Sequence, residues 1–380
     1  MLDRDSLKTL AAARSDRGVF VSAFVSTSRL DDWRQTAPTF LNSESTRLVK
    51  ELDLDKESRR YVLEDVDRIL EVLRYEVGPR TEGLAVFADG ESGRFERFEL
   101  PFRLQNRLVV GATAYVRPLI HALSLLEPFI LVRVSRDEST VYSIDEWRVT
   151  GAEEHSGPYL KSTDRETGDV PVKEYYAAAR QETLVDLHFK DVSAALDRTL
   201  DDTGAKHIVL LGQHEIVAHF RKTLSARAAA LVDAEVALDT VASLPQLLVG
   251  ARAALESARS AAMESIAHRV TEGLGSGGRG VAGFEDTLAA LRRGQVQTLL
   301  IDREYRPPGW RCVACEHVLP APMEACPVCG GVIMPVADAV GEAVRTAVLQ
   351  GTFVEVAEQV AEQVPGLAAM GGIGGLLRYG

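Results

Sequence analysis

"KHIVLLGQHEIVAHFRKTL" (206–224) is the stretch from which the architecture can be read. Its first part, 207–212, is a short apolar run closed by a glycine, as expected of a buried strand. From His214 the pattern changes to that of a helix running to Leu224. A buried strand handing over at once to a helix marks a mixed α/β layer.

The flanks carry the same alternation. "FILVRVS" (129–135) and "TVYSIDEW" (140–147) read as strands, and "ALVDAEVAL" (230–238) as another. Long helices are expected over 172–200 and, alanine-rich, over 244–274. Between strands and helix lies "GAEEHSGPYLKSTDRETGDVP" (151–171), polar and rich in turn formers. It is expected to be a loop, and loops of that length inside a compact domain are functional or disordered.

Farther toward the N-terminus, 3–13 is expected to be a helix and 18–27 a strand. Helices over 37–52 and 56–76 follow, the second with Leu63, Val66, Ile69, Leu70 and Leu73 on one face. Strands 83–88 and 94–101 flank "DGESG" as a hairpin, and 117–127 is a short helix. Farther toward the C-terminus, "GSGGRG" (275–280) reads as a flexible joint. A helix (284–295), a strand (296–304), a second helix (338–350), a strand (352–357) and a glycine-rich end follow it. The fold class expected is α/β in the broad, mixed α+β sense. It comprises three domains, 1–127, 128–274 and 275–380.

The composition fits a folded chain. Of 380 residues, 46% are hydrophobic and 26% charged, which leaves room for more than one core. No run is apolar enough for a membrane span. The charged start lacks an apolar leader, so a cytoplasmic chain is expected. The net charge of −12 opposes non-specific nucleic-acid binding, which draws on Lys and Arg. Only a local basic patch would restore it.

All four cysteines fall in "WRCVACEHVLPAPMEACPVCGG" (310–331). Cys312, Cys315, Cys326 and Cys329 form C-x2-C-x10-C-x2-C, two pairs that can share one tetrahedral metal. Pro327 and Gly330-Gly331 suit the second knuckle, while the first has Glu316 where glycine is expected. His317 is near enough to act as a substitute ligand. Four thiolates close the coordination sphere, so a structural zinc in a mini-domain at 308–334 is expected. Local disulfides and a thioredoxin-like pair are the weaker alternatives.

In this order the motifs resemble the archaeo-eukaryotic class-1 release factor and Pelota superfamily, in its bacterial, Balon-like branch. The stretch 206–224 looks like the strand–glycine–helix element of that superfamily's RNase H-like middle domain. "GVAGFEDTLAALRRGQVQTLLIDRE" (280–304) and "GGIGGLLRY" (371–379) are similar to the opening and last strand of its third domain. That domain is an α/β sandwich related to ribosomal RNA-binding proteins, in which some members insert a cysteine-bearing mini-domain. The resemblance implies a factor for the ribosomal aminoacyl-tRNA site, acting in hibernation or rescue of stalled ribosomes. It implies a first domain toward the decoding centre, and a translational GTPase such as elongation factor Tu as partner. Release factors carry a catalytic Gly-Gly-Gln before the long middle helix. Here 151–171 has no glutamine, so no catalytic residue is assigned. A peptidyl-tRNA hydrolase using that loop unconventionally, and an interaction scaffold away from the ribosome, remain as alternatives.

The remaining motifs have plainer readings. "GLGSGG" (273–278) satisfies G-x-G-x-x-G but follows a helix, which disfavours a dinucleotide site. His214 and His219 are five residues apart and point differently on a helix. Asp186, Asp191 and Glu182 read as a solvated face before they read as a nuclease cluster. Basic residues placed to meet RNA phosphates are Arg221, Lys222 and Arg227, with Arg292 and Arg293. Arg303, Arg306 and Arg311 around the cysteines could touch RNA or an acidic surface.

Overall fold

The N-terminal helix α1 (Arg4–Ala11) opens on a capping box. Asp3 Oδ1 accepts from the Ser6 amide at 2.7 Å, while Ser6 Oγ accepts from the Asp3 amide at 2.9 Å. After it come β1 (Phe20–Ser26), α2 (Trp33–Glu51), α3 (Lys56–Tyr75), β2 (Gly83–Asp89), β3 (Arg94–Leu100), β4 (Arg107–Gly111) and α4 (Arg117–Leu125). The strands form an antiparallel sheet in the order β3-β2-β1-β4. Val21, Ala23 and Val25 alternate along β1 toward α2 and α3, where they meet Leu41, Val62, Val66 and Ile69. Leu63, expected on the buried face of α3, is instead 39% exposed, and Val62 is fully buried. One residue turns the helix by roughly 100°, enough to carry Leu63 to the rim.

In this computed structural model residues 2–157, 171–237, 242–275, 277–358 and 360–379 are described. The chain divides into two compact units, Met1–Ser124 with Ala262–Gly380, and Leu125–Ala261. Most of the expected loop 151–171 lies outside the described residues.

The second unit contains β5 (Phe129–Arg133), β6 (Glu138–Asp145), β7 (Arg148–Ser156), α5 (Pro171–Thr203), β8 (His207–Gly212), α6 (His214–Arg221), α7 (Ala226–Ala230), β9 (Val232–Ala237) and the first part of α8 (Leu244–Glu272). Its sheet runs β7-β6-β5-β8-β9, parallel across β5, β8 and β9 and antiparallel at the β6 and β7 edge. Along β8, Ile208 and Leu210 face one core, and Val209 and Leu211 the other. That is the two-sided burial expected of 207–212. Phe189, Val192 and Leu196 of α5 and Phe220 of α6 fill the first core. Leu247 and Ala251 of α8 close the second. Residues 151–156, expected as loop, belong to β7. Their polarity is that of an edge strand whose side chains are mostly exposed.

The rest of the first unit comprises β10 (Gly280–Ala282), α9 (Phe284–Arg292), β11 (Val296–Asp302), β12 (Gly309–Cys312), β13 (Val318–Leu319), β14 (Ile333–Val336), α10 (Ala339–Leu349), β15 (Phe353–Ala357), α11 (Val360–Gln363), α12 (Pro365–Ala369) and β16 (Ile373–Leu377). One sheet has the order β10-β16-β11-β15, with β11 and β15 parallel. A small antiparallel sheet, β13-β12-β14, carries the cysteines. The glycine run after α8 folds back on the helix end, Gly280 N donating to Gly273 O at 2.9 Å. A Cβ on Gly278 would stand 2.0 Å from that same carbonyl oxygen, so close approach dictates glycine there.

Arg117 ties the N-terminal part of this unit to its C-terminal part. Buried at 3% exposure, it donates from Nη1 to both oxygens of Asp338, at 3.0 and 2.9 Å. From Nη2 it reaches the carbonyls of Asp302, Arg303 and Tyr305 at 2.7, 3.0 and 3.0 Å. The Tyr115 hydroxyl donates to Asp338 at 2.6 Å. Asp338 also caps α10, accepting from Gly341 N at 2.8 Å.

Candidate metal centre

The hairpins around β12 bring the two cysteine pairs together. Cys312 and Cys329 sulfurs lie 3.5 Å apart, as do those of Cys315 and Cys326, and all four fall within 4.8 Å of one another. A tetrahedral metal with metal–sulfur bonds of about 2.3 Å requires sulfurs roughly 3.8 Å apart. The thiols are free and unbridged. Among the described residues, no other group of three or more His, Cys, Asp or Glu clusters in this way.

Further observations fit a metal. A Cβ on Gly331 would crowd both Cys312 Sγ, at 3.2 Å, and Cys329 Sγ, at 3.3 Å, so glycine keeps the cradle open. The backbone amides of Cys315 and Ala314 point at Cys312 and help pull its thiol down to about 6. Cys315 is pushed up to about 12 by desolvation and by its thiol neighbours. So compact a set carries several thiolates only when a cation offsets their charge. Four sulfurs leave no coordination position for substrate, and what such a centre does is hold its hairpins together. His317 contributes backbone groups: its carbonyl accepts from Cys312 N at 2.9 Å, and its amide faces the Cys315 thiol. Its imidazole is held below its ordinary value by burial and by Arg292.

The two knuckles solve the same turn differently. In the second, Gly330 takes a φ of 72° and donates its N–H to Cys326 O at 2.8 Å. In the first, Glu316 takes a φ of 59° and donates to Cys312 O at 3.0 Å. A non-glycine residue in this region needs compensation. Glu316 receives it from Arg14, at 3.0 Å, and from Arg345, whose Nη1 donates to Ala11 O at 2.8 Å.

The basic residues singled out in the sequence fall into two sets, one in each unit. Arg221 pairs with Glu235 at 2.5 Å and Arg227 pairs with Asp201, with Lys222 exposed at the end of α6. Arg292 lines a 340 Å³ recess with Cys315, Glu316 and His317, and Arg293 Nε donates to Gln295. Arg303 pairs with Glu358. His219 is engaged by Asp186 at 2.7 Å and is no metal ligand with His214. Sequence reading missed His207, which bridges Asp233 at 2.6 Å and Glu127 at 3.0 Å. The hydrogen bonds to Asp233 and then Glu127 hold it up at about 9. Its partners lie 26 and 80 positions away along the chain, so no local motif announces it.

Residues 115–258 match the family described as Bacterial archaeo-eukaryotic release factor family 10. The match is confined to the middle of the chain. The matched segment runs from α4 through β9 into the first part of α8. The superfamily that the motif order resembles is therefore the one matched.

Solved structures similar to the chain include an archaeal translation termination factor, aRF1, at 20% identity. That likeness covers 100% of this chain and 99% of that one, with a TM-score of 0.26. Pelota of Archaeoglobus fulgidus is similar at 16% identity over 78% of this chain and 79% of that one, with a TM-score of 0.37. A structure titled as ribosome-bound archaeal Pelota and ABCE1 is similar at 14% identity over 99% and 94%, with a TM-score of 0.41. At these scores the overall likeness carries no argument, and what likeness to the release-factor family there is lies in the middle segment. No curated protein matches the chain. No helix among the described residues is long and apolar enough to cross a membrane.

Proposed function

We propose that this chain is a non-catalytic ribosome-binding factor of the release factor and Pelota type, occupying the aminoacyl-tRNA site during hibernation or rescue of stalled ribosomes. The observation that carries the proposal is the family match of the middle segment, in a chain that nowhere contains Gly-Gly-Gln. A factor that keeps the family's middle domain but lacks the peptidyl-tRNA-cleaving tip retains binding without hydrolysis. In this reading the chain works as three functional domains, 1–127, 128–274 and 275–380, in the cytoplasm. The cysteine centre holds a structural zinc. Arg221, Lys222, Arg227, Arg292 and Arg293 meet ribosomal RNA phosphates, and a translational GTPase such as elongation factor Tu delivers the factor.

Sedimentation of cell extracts through sucrose gradients tests the proposal. The factor is expected with intact ribosomes, in larger amount under starvation, and purified factor is expected to release no peptide from ribosome-bound peptidyl-tRNA. Its recovery only among free proteins, in growing and starved cells alike, would overturn the binding claim. Peptide release above background would overturn the non-catalytic one.

A further inference from the structure

The first unit encloses a cleft of about 990 Å³, lined from β4, α2 and the turn after α1 on one side and from β12, β14 and α10 on the other. Seven arginines and five carboxylates line it. In a chain of net charge −12, a concave site with excess positive charge is a local inversion of sign, and concavity focuses such a field.

Several of these cations lack their share of negative charge. Arg311, only 9% exposed, makes no hydrogen bond from Nη1. Glu342 Oε2 stands off at 3.6 Å from it and at the same 3.6 Å from Arg345 Nε, so one carboxylate serves two guanidiniums at long range. Arg306 reaches Glu304 from Nη1 at 3.4 Å, but its Nε is buried without a partner. Arg107, half-buried on β4, has no hydrogen-bond or ion-pair partner among the described residues, yet its charge reaches both Glu44 and Tyr115. Buried guanidinium donors left unpaired are costly. Planar forks of this kind match phosphate oxygens.

We propose that this cleft binds a phosphate group, with Arg107, Arg306 and Arg311 as its donors. The ligand is a phosphorylated small molecule or a stretch of nucleic-acid backbone seated in the cleft. The cleft's volume falls in the range of small-ligand sites, and exposed Val313 and Met334 offer apolar contact beside the charges. The inference goes beyond the ribosome proposal and stands without it, because phosphate binding is measured on the isolated chain.

The test is equilibrium titration of the full-length protein at low salt with inorganic phosphate, adenosine monophosphate and a short fluorescein-labelled oligouridylate. Saturable binding of at least one probe is expected. Arg107→Gln, half-exposed and unpaired, is expected to weaken it roughly tenfold or more, the usual cost of a hydrogen bond to a charged group. Arg306→Gln is the second variant, and Arg198→Gln in the other unit, at a residue paired with Glu153, leaves affinity unchanged. Tight, mutually competing phosphate and nucleotide would assign a small ligand. Preference for the oligouridylate, with affinity falling steeply as salt rises, would assign nucleic-acid backbone. Either supports a phosphate site. No saturable binding by any probe, or wild-type affinity in both Arg107→Gln and Arg306→Gln, overturns it.

Discussion

Replacing Asp338 by alanine removes three things at once. It strips Arg117 of the one carboxylate it bonds among the described residues, deletes the acceptor for the Tyr115 hydroxyl, and uncaps α10. Breaking a buried ion pair by deleting one partner costs about 3–5 kcal/mol, and losing an N-cap costs about 1 kcal/mol. Arg117 keeps its three backbone carbonyls, which places the total toward the lower end, about 4 kcal/mol. Asp338→Asn keeps a capping oxygen and a neutral acceptor, so it is expected to cost about half as much. Native-state hydrogen exchange is the assay, read on the amides of α10 and of α4. Both helices should lose protection together, because Arg117 begins α4 and Asp338 caps α10. A loss below about 1 kcal/mol, or one confined to α10, would refute the argument that this pair joins the two ends of the first unit.

The other predictions concern titration and metal. Purified protein should carry one zinc per chain, and chelation should unfold β12, β13 and β14 while leaving the second unit intact, as followed by zinc-release colorimetry and limited proteolysis. Site binding of this kind reaches roughly 10–16 kcal/mol in isolated peptides, so Cys312→Ser should abolish it. The folded value of His207, raised from 6.5 to about 9, means that its contribution is complete below pH 6.5 and lost as pH rises through 9. Its groups are about one-third exposed, so screening leaves roughly 1 kcal/mol or less. The pH dependence of urea unfolding of the second unit should flatten in His207→Gln. Burial lifts Asp65 from 3.8 to about 6, against the hydrogen bond from Gly90. A raised carboxyl favours the folded state at low pH, and that advantage fades as pH climbs from 3.8 through 6. Asp65→Asn is therefore expected to gain roughly 1–2 kcal/mol at neutral pH, measured by denaturant midpoint.

What could be read from the sequence was whatever declares itself within a few residues. Cys312 to Cys329 announce a shared site by spacing, and 207–212 announces a two-sided strand by its unbroken apolar run. The helix over 338–350 was visible too, though its cap at Asp338 was not. Short or edge elements escaped: β4 has only five residues, and α7 is a single turn ahead of β9. The polar edge strand β7 looked like loop because an edge needs no apolar face. The most consequential pairs were hidden for a different reason. Arg117 and Asp338 are 221 positions apart, and no composition rule tells a buried arginine from a solvated one. The cleft arginines likewise gain their meaning only once β4 and β12 line one cavity.

Glu316 gives the cysteine hairpins a dependence on their surroundings. Its left-handed backbone, a conformation costing about 1–3 kcal/mol for such residues, is held by Arg14 and Arg345, neither of which belongs to the hairpins. A peptide cut out as 308–334 would lack both guanidiniums and would have to bear that strain alone. It should therefore grip its ion less tightly than the whole chain does. Affinities measured on such a fragment would set a floor for the protein, and the shortfall would measure how much Arg14 of the N-terminal segment and Arg345 of α10 together lend to coordination.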